Sequence, residues 1–512
     1  MTNMLRRAAP CLCLGGLVLY YFLSSPTGGD FWWYDAPRHA MNGVFLSDLL
    51  SEGGLAHPLR YARAYYEQYP AINIGFYPPF FYLSSVPLLL LFGASHAVAQ
   101  AAVALYTLML GALVCLICRR AMDHASALAT ALCVLLLAPV ALWSRQVQLD
   151  VPAAAMHFLT AGLLIRHLET QRQGWLFAAA VCLGLSMLTR VQGVFAVPVF
   201  LFFVFGRGGA GRPALGKRIA ATAIAGLIAL PAMLMVAYFS KVNQALATAA
   251  PGMPPLWSLA NWTWYAGQLP LQLGWPALCL AVAGLAAAAR AAATGRATPA
   301  LRVLAAYTVC AWIFFSVVSN KDPRFNLPGM LFLFVLAAHG LYLCAAPAAR
   351  LFLPALAAWL LLQLGATPAV PVVGGFPEAA AAAQALTPQQ ANVLISAHRD
   401  GNFIYALRTL GRRRDIGVCR ADKLFVEIHI MRELGVRDRN LDRQAILAML
   451  DRHKVATVVA QPGYLSDQPS MRNFQALLDD GVHYARVRTV ALTGQTGRDE
   501  RALVIYQRRR GL

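Results

Sequence analysis

The chain has 512 residues, 58% hydrophobic and 13% charged, with a net charge of +20. Soluble domains run at about 45–50% apolar and about 25% charged, so a soluble globular enzyme, a disordered chain and a fibrous repeat are excluded. Residues 1–376 carry 22 Lys and Arg against 9 Asp and Glu, and residues 377–512 carry 21 against 14. Charge spread in this way sets membrane topology, and no nucleic acid is expected as a partner.

Arg6 and Arg7 precede an apolar stretch reaching Phe22. No small-residue cleavage site precedes Gly28, so this stretch reads as a retained first span. Apolar runs about the length of a bilayer crossing predict spans at 8–25, 97–118, 125–143, 151–168, 174–190, 193–206, 218–239, 271–289, 303–319, 327–345 and 350–366. Residues 79–92 are apolar but short; they are expected to be re-entrant or to pair with a further crossing, which gives 11 to 13 spans. Ten cysteines are scattered with no disulfide framework, and Cys115 and Cys118, a lone C-x-x-C, read as packing.

One set of loops holds Arg6, Arg7, Arg119, Arg120, Arg166, Arg172, Arg207, Arg212, Lys217, Arg218, Arg290, Arg296, Arg302 and Arg350, with Asp123 and Glu169 as its acids. That face is net +12 and is expected to be cytoplasmic. The opposite face holds the other seven acids of the membrane part and is net +1. It has two long loops: residues 26–78, opening on Phe31-Trp32-Trp33-Tyr34, and about 240–270, with Trp257, Trp262, Trp264 and Tyr265. Beyond residue 376 the pattern changes. Val393–Ile395, Val455–Ala460, Val487–Leu492 and Leu503–Tyr506 read as strands, and 401–411, 442–453 and 471–479 as helices. The fold class is therefore a polytopic α-helical membrane protein, 1–376, with a C-terminal soluble α/β domain, 377–512, on the outer face. The basic end at Arg508-Arg509-Arg510 reads as a solvated terminus.

Ionisable residues gathered at span ends on one face read as a site. The outer face has Asp35, Arg38 and His39 after the first span, Arg145, Gln146, Gln148 and Asp150 after the third, Arg190 and Gln192 after the fifth, and Lys321, Asp322 and Arg324 after the ninth. A few carboxylates among several cations suit a reaction that needs a general base and a clamp for an anionic leaving group such as phosphate. His57, His96, His157 and His167 are dispersed with no metal-ligand spacing, so no cofactor is expected, a divalent metal being the weaker alternative.

These segments also resemble, in order, the motifs of polytopic GT-C glycosyltransferases, in particular the protein O-mannosyltransferase-like enzymes of glycosyltransferase family 39 and the aminoarabinose transferases. Trp33-Tyr34-Asp35-Ala36-Pro37-Arg38-His39 resembles their first-loop D-E-x-R-Y motif, and Tyr77-Pro78-Pro79 their Pro-Pro at the end of that loop. Ser144-Arg145 through Asp150 resembles S-R-x4-D, and Leu188-Thr189-Arg190 resembles L-T-K. Lys321-Asp322-Pro323-Arg324-Phe325-Asn326-Leu327-Pro328 resembles K-x-P-R-Y-x-L-P. The resemblance covers about residues 1–345 and implies a polyprenyl-phosphate-linked sugar as donor and a glycan, lipid or protein acceptor. It implies an inner-membrane enzyme of an envelope-bearing cell, working on the periplasmic face. By it Asp35 is the catalytic base and Asp150 helps to position the acceptor. Arg190, Lys321 and Arg324 hold the lipid phosphate, and Arg38, His39, Tyr77, Arg145 and Gln148 support the site. Two departures fall on the acceptor side: Ala36 replaces the second acid, and Tyr77 replaces the lysine that precedes Pro-Pro in the aminoarabinose transferases. The alternatives are a transporter, or a non-catalytic membrane protein with a sensory or docking tail.

Overall fold

A computed structural model describes residues 2–206, 213–249, 253–366, 369–411, 413–428, 435–494 and 502–509. Arg207, Arg212 and Arg510 lie outside the described residues, as do the side chains of Arg6 and Arg7. The chain divides into two compact units. The first is Met1–Ser24, Gly75–Phe81 and Val103–Ala369. The second is Ser25–Ile74, Tyr82–Ala102 and Val370–Leu512, so the first outer loop folds together with the C-terminal region.

Among the described residues, seven helices are long and apolar enough to cross a bilayer: His96–Cys118, Asp150–Thr170, Leu215–Tyr238, Trp275–Ala293, Pro299–Val317, Leu327–Cys344 and Ala346–Gly365. Five shorter apolar helices accompany them: Pro10–Leu23, Phe80–Phe92, His124–Leu136, Gln173–Thr189 and Val191–Phe205. The chain is an integral membrane protein. The Leu327–Cys344 and Asp150–Thr170 helices are the most enclosed by protein, at 78% and 72% buried, against 22% for the peripheral Leu215–Tyr238.

The expected crossing at 125–143 is interrupted. Asp123 caps its start by accepting from the amides of Ala125 and Ser126. The helix then stops at Leu136; Leu137 turns out of helical geometry at ψ 135°, and a short helix restarts over Ala138–Trp143. Pro139 has no N–H to return to the Leu135 carbonyl, the position that a continuous helix would use. That carbonyl instead accepts the Tyr21 hydroxyl of the first helix at 2.8 Å. A buried main-chain oxygen released by proline thus finds a side-chain donor. The crossing expected at 271–289 begins only at Trp275, because Gly274 at φ 72° ends the preceding Leu259–Leu273 helix. Residues 79–92 form the Phe80–Phe92 helix, whose 13 residues rise about 20 Å, short of a bilayer core of about 30 Å.

The C-terminal region follows its sequence pattern closely. Its strands are β1 Asn392–Ser396, β2 Val418–Arg420, β3 Val426–Ile428, β4 Val436–Asp438, β5 Val455–Ala460, β6 Tyr484–Ala491 and β7 Ala502–Arg508. The main sheet has the order β2-β1-β5-β7-β6; β3 and β4 form a separate pair. β1 lies parallel to both β2 and β5, and β7 runs antiparallel to β5 and β6. β1 and β5 are central and mostly buried, which is why both read as nearly continuous apolar runs. The helices Asp400–Leu410, Arg443–Arg452 and Pro469–Asp479 stand at the predicted places. The short β2, β3 and β4 were not legible, being three residues each with one fully buried position or none.

Candidate active site

In the first unit the candidate residues sit at the ends of its most enclosed helices. Asp150 opens the Asp150–Thr170 helix and is buried. Arg190 follows the last residue of the Gln173–Thr189 helix in extended backbone, and its guanidinium pairs with the Asp150 carboxylate. Residues 318–326 run without helix into the Leu327–Cys344 helix. Gln272 Nε2 holds that segment by donating to the Pro323 carbonyl at 2.7 Å. The guanidiniums of Arg190 and Arg324 each lie 5.5 Å from the centre of the Phe325 ring, and Arg324 also lies 5.6 Å from Trp143. Arg324 is ion-paired to Asp322 at 3.2 Å. The two arginines that the motifs single out, 134 positions apart, therefore meet on one aromatic ring.

Lys321 is buried, with its ammonium 5.4 Å from the Tyr265 ring. It donates to the carbonyls of Phe315, Ser316 and Val318 at 3.0–3.2 Å. Burial pushes its pKa below the ordinary lysine value. Arg145 donates from Nε to the Ala141 carbonyl at 2.9 Å and faces the Tyr21 ring. Gln148 is buried, and its Nε2 has no hydrogen-bond partner among the described residues. Tyr77 is half-buried and packs edge-on to Phe76. Four cations, Arg145, Arg190, Lys321 and Arg324, thus stand against two carboxylates, Asp150 and Asp322. Of the aromatic faces under these cations, Trp143 escaped the sequence reading, while Phe325 stood in a motif and Tyr265 in the second outer loop with no role assigned to either.

In the second unit Asp35 caps the Ala36–Ser51 helix by position, yet its carboxylate makes no capping hydrogen bond. A cap normally accepts from the second or third amide of the helix. Pro37 has no amide to give, and the carboxylate has no other partner among the described residues. His39 Nδ1 lies 2.7 Å from the Tyr82 hydroxyl. Arg38 is committed elsewhere: it holds both oxygens of Asp400 at 3.0 and 3.1 Å. Asp400 also meets Arg420, which pairs in turn with Asp422. Among the described residues no three His, Cys, Asp or Glu side chains gather as a metal site requires.

Residues 77–239 match the family of dolichyl-phosphate-mannose-protein mannosyltransferases. The segment includes Tyr77, Arg145, Gln148, Asp150 and Arg190. No curated protein matches the chain by sequence. Among solved structures, ArnT from Cupriavidus metallidurans in the apo state aligns with a TM-score of 0.62 at 17% identity, covering 97% of each chain. The same protein bound to undecaprenyl phosphate aligns at 0.58 and 14%, covering 98% of each. The arabinofuranosyltransferase AftD from Mycobacteria aligns at 0.53 and 15%, over 98% of this chain and 41% of its own. The chain therefore has the fold of ArnT over nearly its whole length, beyond the roughly 345 residues that the motifs covered.

Proposed function

We propose that the protein is a membrane glycosyltransferase that moves a sugar from a polyprenyl-phosphate donor to an acceptor hydroxyl on the non-cytoplasmic face. The observation that carries this reading is the pair Arg190 and Arg324 on the Phe325 ring, with Arg324 just ahead of the Leu327–Cys344 helix and Arg190 ion-paired to Asp150 at the N-terminus of the Asp150–Thr170 helix. Helix N-termini and guanidiniums both favour a phosphate. The matched mannosyltransferase family and the ArnT–undecaprenyl phosphate complex support a lipid phosphate as that anion.

In this scheme the Asp35 carboxylate takes the proton of the acceptor hydroxyl. The acceptor oxygen attacks the anomeric carbon, and the bond from that carbon to the phosphate oxygen breaks. The electron pair leaves with the lipid phosphate. A direct displacement inverts the anomeric centre. Arg190 and Arg324 stabilise the charge that grows on the leaving phosphate, and Lys321 adds a positive charge to the same field. Asp150 orients Arg190 and helps to position the acceptor. Gln148 has an uncommitted amide to offer a substrate oxygen. Arg38, His39, Tyr77 and Arg145 support the site. No cofactor is required. The charge asymmetry of the loops supports placing the site and the C-terminal region on the non-cytoplasmic side, which in a bacterial inner membrane is the periplasmic one.

Mass analysis of glycans and lipids from cells with and without the protein identifies the product. Asp35→Asn, at unchanged expression, is expected to abolish that product. Full product in the Asp35→Asn cells sinks the assignment of Asp35 as base.

A further inference from the structure

Nothing in the side chain of Asp35 fixes where its carboxylate stands: it caps no amide and pairs with no cation among the described residues. Its place is set by the backbone on either side. Residues 24–35 form no helix or strand, so main-chain carbonyls here need partners from elsewhere. Four consecutive residues of the C-terminal region supply them. Arg399 donates to the Trp32 carbonyl and lays its guanidinium 4.2 Å from the centre of the Tyr34 ring. Asp400 accepts from Arg38 Nη2 through both of its carboxylate oxygens. Gly401 approaches Pro37 so closely that a Cβ there would stand 3.2 Å from the proline Cγ. Asn402 Nδ2 donates to the Phe31 carbonyl at 2.9 Å. Residues 31, 32, 34, 37 and 38 are thus gripped around Asp35. From the other side His96 Nδ1 accepts the Gly29 amide at 3.1 Å, and its ring stacks on Phe31.

These four residues lie just past the carboxyl end of β1. β1 sits between β2 and β5, parallel to both, and the chain passes from β1 to β2 on one side before returning to β5 on the other. Segments leaving a sheet there project from one edge and are free to carry recognition rather than core packing.

We infer that Arg399 and Asn402 are positioning residues for Asp35, so that the C-terminal region is a working part of the active site. The inference rests on the reading of Asp35 as base. A misplacement of about 1 Å in a reacting group can cost about a hundredfold in rate.

The test uses the full chain in lipid nanodiscs. Hydrogen exchange is followed at residues 31–39 and, as a fold control, at β5. Arg399→Ala is expected to speed exchange around Asp35 at least tenfold, with β5 unchanged. Arg399→Lys should recover part of that protection. Affinity for undecaprenyl phosphate, used as the donor probe, should stay within twofold, while cellular product falls at least tenfold. Should Arg399→Ala loosen β5 as well, Asn402→Ala, which removes one hydrogen bond, decides by the same readings. Unchanged exchange at 31–39, or equal loosening of β5 in both variants, overturns the inference. Exchange does not depend on catalysis. A loosened loop together with full product from Asp35→Asn cells would therefore strike the reading of Asp35 and leave Arg399 a purely structural clamp.

Discussion

Lys321 gives its ammonium protons to three carbonyls around the end of the Pro299–Val317 helix, while Asp35 leaves the amides of its own helix untouched. The lysine thus acts on an anion through its charge, whereas the aspartate keeps its lone pairs for a proton. The charge of Lys321 is conditional, since burial lowers its pKa. An amine is cationic below its pKa and neutral above it. Transfer should therefore hold at lower pH and fall as pH rises through a value beneath the ordinary lysine figure of about 10.4. Arg stays charged throughout this range, so Lys321→Arg should carry the plateau to higher pH. The rate of polyprenyl phosphate release in membranes, measured across pH for both forms, checks this; coincident alkaline limbs refute it. Arg190 and Arg324 were legible as residues, because each stands in a recognisable motif, Leu188-Thr189-Arg190 and Lys321 to Pro328. Their meeting on Phe325 was not, because it depends on how three separate helix ends converge.

At the scale of elements, the Leu327–Cys344 helix is enclosed because its neighbour comes very close. Gly284 of the Trp275–Ala293 helix lies against the main chain of Ala337, and a Cβ on it would collide with the Ala337 carbonyl. Gly340 faces Ala288 in return, with a Cβ position 2.6 Å from the Ala288 amide nitrogen. Small residues permit this approach where no hydrophobic force drives helices together. Gly284→Val is expected to destabilise the protein by about 1–3 kcal/mol, the usual cost of overpacking. Gly226→Val is the control, since nothing lies within 4 Å of its Cβ position. Thermal unfolding in detergent should show a lower midpoint for the first and an unchanged one for the second. Long apolar helices and the strands of the C-terminal sheet could be read ahead because burial repeats along them. The break at Leu137 could not, although Pro139 stood in plain view. Proline alone leaves kink and interruption equally open, and the Tyr21 hydroxyl that makes interruption tolerable lies 114 positions away from Leu135.

Across the whole molecule, composition changes at Pro377, and the sequence reading divided the chain there. The second compact unit instead joins Ser25–Ile74 to the C-terminal region. Composition reports which solvent a segment meets, whereas the partner is chosen by contacts hundreds of residues apart. Among these is Arg408 with Asp48, 360 positions apart and both buried. The Tyr65 hydroxyl donates to the same carboxylate at 2.7 Å, and Arg414 approaches it at 3.6 Å. Burial works against the Arg408 charge, yet Tyr65 and Asp48 together hold its pKa above the ordinary guanidinium value. Removing one member of a buried pair strands the other charge and costs about 3–5 kcal/mol, whereas replacing both with apolar residues of similar volume is often close to neutral. Arg408→Ala should therefore open Ser25–Ile74 to proteolysis at a markedly lower temperature, even with Arg414 nearby as a partial substitute. Asp48→Leu combined with Arg408→Met should recover most of the loss, short of the roughly 1 kcal/mol for the partner taken from Tyr65. A double variant as fragile as Arg408→Ala would mean that the charges themselves, and not the burial around them, hold the first loop to the C-terminal region.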